Sequence, residues 1–154
     1  MANVKPIPDG YPRLSAALSI DGAADAIEFY KDVFGATERM RMEGPPGRVA
    51  HAELQFGDSV LMLSDESPEM GFLGPKQVGG SPVQLSLYVE DVDALYEKAL
   101  AKGATAERPL EDQFYGDRSG SFTDPFGHRW YVASHVEDVS EEEMGERMAQ
   151  MMGG

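Results

Sequence analysis

Residues 14–37 read Leu-Ser-Ala-Ala-Leu-Ser-Ile-Asp-Gly-Ala-Ala-Asp-Ala-Ile-Glu-Phe-Tyr-Lys-Asp-Val-Phe-Gly-Ala-Thr, and residues 83–105 read Val-Gln-Leu-Ser-Leu-Tyr-Val-Glu-Asp-Val-Asp-Ala-Leu-Tyr-Glu-Lys-Ala-Leu-Ala-Lys-Gly-Ala-Thr. Each is an alternating strand, an acidic turn, an amphipathic helix and a Gly-Ala-Thr stop. Ser15 falls on Gln84 at an offset of 69 and Gly35 on Gly103 at 68, so one single-residue indel reconciles the two copies. An internal repeat of this size marks two copies of one supersecondary unit.

Working outward from the first copy, Leu14, Ala16, Leu18 and Ile20 alternate with small residues and predict a half-buried strand. A helix from Asp21 or Gly22 carries Ile27, Tyr30, Val33 and Phe34 as its apolar stripe, and Gly35 ends it. Three strands follow, over about 36–42, 49–56 and 59–64, with turns at 43–48 and at Gly57-Asp58. The second copy repeats the order, with strands at 83–89, 104–110, 118–123 and 128–134, a helix over 91–102, and a turn at Asp124-Pro-Phe-Gly127. The expected organisation is an N-terminal arm (1–11), a βαβββ module (12–66), a Gly/Pro-rich linker (67–81), a second βαβββ module (82–138) and a Met-rich helical segment (139–154). The last begins with the capping box Ser140-Glu-Glu-Glu143. Met144, Met148, Met151 and Met152 then share one face, for docking or as a soft lid or dimer contact.

Composition narrows the classes. The 154 residues suit one compact domain or two small modules, and 42% apolar content supplies a core. No apolar run approaches the roughly 20 residues of a membrane helix, and the first residues lack a signal-peptide pattern. Zero cysteines exclude disulfides and thiol chemistry and fit a cytoplasmic protein. A formal charge of −14 with no basic stripe argues against nucleic acid as a partner.

Alternation assigns a face to each strand residue. Leu14, Ala16, Leu18, Ala52, Leu54, Phe56, Leu61, Leu63, Leu85, Leu87, Val89, Trp130 and Val132 make an apolar face to receive the helices. The opposite face carries Ser15, Ala17, Ser19, His51, Glu53, Gln55, Val60, Met62, Ser64, Gln84, Ser86, Tyr88, Ser119, Ser121, Tyr131 and Ala133. That set is small, polar and mostly uncharged, as the lining of a ligand cavity is. His51 beside Glu53 is the candidate catalytic pair, a general base whose orientation a carboxylate fixes. Tyr88, Tyr115 and Tyr131 are candidates to donate hydrogen bonds to a ligand or stack on it, and Arg118 either clamps a ligand carboxylate if it points inward or pairs with one of the many carboxylates of the chain. His128 is expected on the surface, and His135 at the end of the last strand on the Tyr131 face, a candidate to line the mouth of the cavity.

The two βαβββ modules, the helix end Ala26-Ile-Glu-Phe-Tyr-Lys-Asp-Val-Phe-Gly-Ala36 and the segment Asp124-Pro-Phe-Gly-His-Arg-Trp130 resemble the vicinal oxygen chelate superfamily of glyoxalase I, bleomycin-resistance proteins and extradiol dioxygenases. His51-Ala-Glu-Leu54 and Tyr115-Gly-Asp-Arg-Ser-Gly120 resemble its PhnB-like, glyoxalase-like branch. The resemblance implies an α+β fold, a curved mixed sheet around a cavity with helices outside, and a homodimer. It also implies metal-ligand positions on the first and last strand of each module, which here are Ser15, Met62, Gln84 and Tyr131. Only Gln84 is a plausible ligand, since Met and Tyr do not suit Zn, Ni or Mg. The expectation is therefore a small-molecule-binding protein without the usual metal, whose ligand-binding residues are Ser15, Met62, Gln84, Tyr88, Tyr115, Arg118 and Tyr131. The alternatives are a glyoxalase-like lyase or isomerase, using His51 as base or a displaced divalent ion at His51, Glu53 and Gln84 with Asp117, and a non-catalytic interaction protein. A dioxygenase is a further, weaker possibility.

Overall fold

The computed structural model describes residues 3–153 and divides between Gly80 and Ser81 into two compact units. The first unit contains β1 (Ala16–Ile20), α1 (Ala23–Phe34), β2 (Thr37–Glu43), β3 (Val49–Phe56) and β4 (Ser59–Asp65). A 3-10 turn (Pro68–Met70) and the short α2 (Pro75–Val78) follow. The second unit contains β5 (Gln84–Tyr88), α3 (Val92–Ala101), β6 (Thr105–Asp112), β7 (Asp117–Thr123), β8 (Arg129–His135) and α4 (Glu141–Gly153).

Both units have one topology. The sheet orders are β1-β4-β3-β2 and β5-β8-β7-β6. In each, the first strand runs parallel to the last and the remaining pairs are antiparallel. The helix carries the chain from the first strand across the sheet to its far edge, and the next two antiparallel strands bring it back beside the first. The α+β architecture of two βαβββ modules with a C-terminal helix is the one the repeat implies.

In the first unit, α1 lays Ala26, Ile27, Tyr30 and Val33 against Leu18, Ile20, Ala52, Leu54, Leu61 and Leu63, all buried. Burying an Ile or Leu side chain in such a layer contributes about 1.5–3 kcal/mol. Tyr30, Phe34 and Phe56 close one end, with ring centroids 5.9, 5.5 and 6.5 Å apart. The helix stops at Gly35, where φ is +69°, a left-handed conformation that an L side chain resists, and its N–H closes on the Lys31 carbonyl. In the second unit, α3 buries Val92, Leu95, Tyr96 and Ala99. Tyr96 packs edge-on to Phe122 at 6.0 Å and donates its hydroxyl to the Arg108 carbonyl at 2.8 Å.

Several sequence expectations are corrected. Leu14 precedes β1 and is 88% exposed, because the strand pairing with β4 begins only at Ala16. His128 is 8% exposed, drawn in because the Asp124 carboxylate gathers the Phe126 and His128 amides and the Trp130 indole N–H at 2.9–3.0 Å. The capping box is half made: the Glu143 amide donates to Ser140 Oγ, but the Glu143 carboxylate turns to Arg147. No α4 residue is buried, and Arg147 holds the helix by bonds to Glu137 and the Phe114 carbonyl.

Candidate ligand-binding site

The face of the first sheet away from α1 carries a cavity of about 500 Å³. Its floor is set by register. Ala17 lies beside Met62 and Ser19 beside Ser64 across the β1–β4 pair, and His51 on β3 completes the lining. Small side chains on β1 leave the space, and the Met62 thioether supplies an adaptable apolar surface. Two loops form the rim. One is a turn closed by the Arg48 amide on the Pro45 carbonyl and by Gly44 on Arg48. The other is held by the Ser67–Phe72 bridge and brings Met70 and Phe72 to the cavity. The Arg48 guanidinium donates to the Glu66 carbonyl and so ties the two loops together.

His51 and Glu53 are two residues apart on β3, and their side chains meet. Nε2 of His51 lies 2.9 Å from Glu53 Oε2. Glu53 is 5% exposed, and its other oxygen accepts the Tyr11 hydroxyl at 2.6 Å. The Tyr11 bond first, and the His51 bond second, hold the Glu53 carboxyl below its usual range. The same bond to Glu53 raises Tyr11. An ionised carboxylate only accepts, so in the neutral imidazole the hydrogen sits on Nε2 and the lone pair on Nδ1. The chemistry this permits is acceptance of a hydrogen bond or a proton by an oriented imidazole at the cavity wall.

The second unit gathers its polar residues differently. Asp117 on β7, 4% exposed, accepts the Tyr88 hydroxyl at 2.6 Å and pairs with His135 Nδ1 at 2.8 Å. His135 Nε2 pairs with Asp138 at 2.7 Å. Asp117 first, then Asp138, raise the His135 imidazole above its ordinary value. Tyr131 bonds to Tyr115 and donates to Ser119 Oγ at 2.7 Å, and burial is the main cause that pushes its phenol up to about 12. Gln84 is exposed on β5 beside Arg129. The buried hydroxyls of Ser15 and Ser121 have no hydrogen-bond partner among the described residues.

Arg118 takes the role of partner to the chain's own carboxylates rather than of an inward clamp. It lies one residue along β7 from Asp117 and from Ser119, on the helix side of the sheet, where Asp93 of α3 and Asp112 take its guanidinium at 2.9–3.3 Å. Sequence reasoning missed Tyr11 and Arg39 altogether. Arg39 stacks on the Tyr11 ring at 4.3 Å and donates to the Gly10 carbonyl at 2.8 Å and to Gln55 at 3.1 Å. No local pattern links Tyr11 to Arg39 and Glu53, which lie 28 and 42 positions away. Asp117 and His135 were both candidates in the sequence, but their pairing with each other and with Tyr88 was not foreseen.

Residues 14–132 match the family model of the Glyoxalase/Bleomycin resistance protein/Dioxygenase superfamily, and the chain belongs to that family. An uncharacterized protein of Mycobacterium bovis is 42% identical over 146 residues, covering 93% of this chain and 96% of the relative. A crystal structure of a Pseudomonas aeruginosa protein superposes with a TM-score of 0.68 at 25% identity, over 82% of this chain and 99% of the other. A PhnB protein from Bacillus cereus shares the fold with a TM-score of 0.64 at 18% identity, over 80% and 99% of the two chains.

Proposed function

We propose that this chain binds a small, largely neutral or cationic organic molecule in the cavity of its first module and does so without the family's usual metal. The cavity of about 500 Å³ on the sheet face carries this reading, since its floor joins the small Ala17, Ser19 and Ser64 to His51 and the Met62 thioether, and its rim brings Met70 and Phe72 beside Arg48. Met62 and Phe72 would take the body of the ligand, and His51 Nδ1 would accept a hydrogen bond from it. The ligand class is therefore one with an O–H or N–H donor on an apolar or aromatic frame.

The donor chemistry at the family's ligand positions supports the metal-free reading. Met62 offers a thioether, and Tyr131 a phenol already bonded to Ser119 and Tyr115. At the displaced alternative, both Glu53 oxygens are already occupied by Tyr11 and His51. Among the described residues no three His, Cys, Asp or Glu side chains are grouped to hold an ion. The family resemblance further supports a homodimer, and the absence of cysteine a cytoplasmic setting.

A second reading is favoured by one observation. A carboxylate-oriented imidazole at a cavity wall suits a general base in a lyase or isomerase. Ligand-observed NMR with phenols and their methyl ethers tests the first reading. Phenols should bind and be lost in Met62→Trp, which fills the cavity, and the ethers should bind about tenfold more weakly. Equal binding by both classes in wild type and Met62→Trp overturns it. Turnover of a bound compound, abolished in His51→Ala, would establish the second.

A further inference from the structure

We propose that the N-terminal segment is part of the site and that Tyr11 is a positioning residue for His51. The inference rests on the reading of His51 as the acceptor of the cavity, and it adds a residue from outside both repeats.

The geometry is a chain of three side chains. The Tyr11 hydroxyl donates to one oxygen of Glu53 at 2.6 Å, and the other oxygen meets His51 Nε2 at 2.9 Å. A glutamate has three side-chain torsions, so a bond at one oxygen alone would leave the carboxylate free to swing. Bonds at both oxygens, in a side chain 7% exposed, hold its plane and aim Oε2 at the imidazole. The imidazole, a residue of the cavity lining, is then fixed in one orientation and one tautomer, with its lone pair on Nδ1.

Tyr11 is itself held. Arg39 of β2 covers its ring and reaches the neighbouring Gly10 carbonyl, while a third contact returns Arg39 to Gln55 of β3. Gly10 has φ of +80°, which lets the segment turn so that residue 11 faces the sheet. Lys5 and Asp9 pair at 3.0 Å within the same segment. The segment therefore reaches Glu53 through one hydroxyl, with a cation stacked behind the ring that carries it. Tyr11→Phe deletes that hydroxyl and keeps the ring under Arg39, so the segment stays in place and only the bond to Glu53 is lost.

The test is long-range ¹⁵N–¹H correlation of His51 in the full chain, assigned with His51→Gln, together with the carboxyl ¹³C titration of Glu53. No ligand is added, so the result is independent of whether the cavity ligand has been found. Wild type should show neutral His51 protonated at Nε2. Glu53→Ala should abolish that preference. Tyr11→Phe should shift the tautomer ratio by roughly threefold toward the Glu53→Ala value and move the Glu53 titration upward. Tyr11→Phe with a wild-type tautomer ratio overturns the proposal, even if the variant is less stable, because Tyr11 would then be a strap and nothing more. A wild type without Nε2 preference also overturns it, together with the acceptor role of His51. Loss of phenol binding in Met62→Trp with intact tautomer coupling would leave this inference standing while confirming the cavity separately.

Discussion

Asp65 and Ser134 occupy equivalent positions of the repeat, 69 residues apart, and each serves the first amides of its own module's helix. Asp65 Oδ1 accepts Gly22 N at 3.2 Å and Ala23 N at 3.0 Å, and Oδ2 takes Val49 N at 2.7 Å. Ser134 Oγ accepts Val92 N at 3.1 Å and donates to the Val89 carbonyl at 2.6 Å. Neither helix relies on this position for a cap from its own sequence. α1 begins at Gly22 with no side-chain cap, and α3 has Asp91 for the Ala94 amide. The end of the last strand of each module reaches over to the start of the helix, which satisfies orphan N–H groups through tertiary contact.

This difference has a measurable consequence. Asp65→Ala removes the acceptor of three backbone amides and should destabilise the chain by about 2–3 kcal/mol. Ser134→Ala removes one accepted and one donated bond and should cost about 1–2 kcal/mol. Urea unfolding followed by circular dichroism ranks the two, and the reverse order would refute the argument.

Gly116 offers a second stability test. Its φ is +100°, and a Cβ there would run into the Glu137 carbonyl and crowd the Val139 side chain. The Gly116 carbonyl in turn accepts the Val136 and Glu137 amides. Gly116→Ala should therefore destabilise by about 2–4 kcal/mol, with the backbone of 136–139 displaced. Denaturant unfolding of the variant checks it, and a loss below about 0.5 kcal/mol would refute it.

The pH dependence follows from the signs of two shifts. His135 is raised above 6.5, so its pairing with Asp117 and Asp138 adds stability that is complete below pH 6.5 and is lost as pH rises through the folded value. Glu53 is lowered below 4.5, so its pairing adds stability above pH 4.5 that is lost as pH falls through its folded value. Thermal melts of His135→Ala against wild type should converge on the alkaline side and separate below pH 6.5. The corresponding melts of Glu53→Gln should separate above pH 4.5 and converge in acid.

Metal content gives the sharpest check on the proposed function. Protein purified without a tag, then offered Zn, Ni, Mn, Fe and Mg in turn, should retain well under one equivalent after desalting, and chelator should leave Tm unchanged. About one equivalent per chain, lost in His51→Ala, would replace the binding reading with a displaced metal centre.

How much of this was legible in the chain differs by element. β3 is found at Val49–Phe56, the residues its alternation marks, and the other seven strands begin and end within two residues of expectation. Residues 67–80 of the linker cluster with the first unit, where Glu66 Oε1 accepts the Gly74 amide at 2.9 Å and Ser67 pairs with Phe72. Gly and Pro content reads as open loop, whereas the contacts that order it come from distant positions. Arg118 shows the same limit. Its residue type suits an inward clamp, but β7 presents it to the helix side, where two carboxylates were already waiting.

The sequence by itself determined the repeat, the βαβββ order of each module, the apolar faces beneath the helices and the proximity of His51 to Glu53. These depend on period, turn residues and spacing along one strand, which are local properties. Only the tertiary structure decided that Tyr11 closes on Glu53, that Asp65 and Ser134 cap helices 42 residues back along the chain, and that Asp117 binds both Tyr88 and His135. Each of those is a hydrogen bond between groups remote in sequence. Its existence depends on where two backbones meet in space, and burial then makes an unpaired carboxylate or amide too costly to leave.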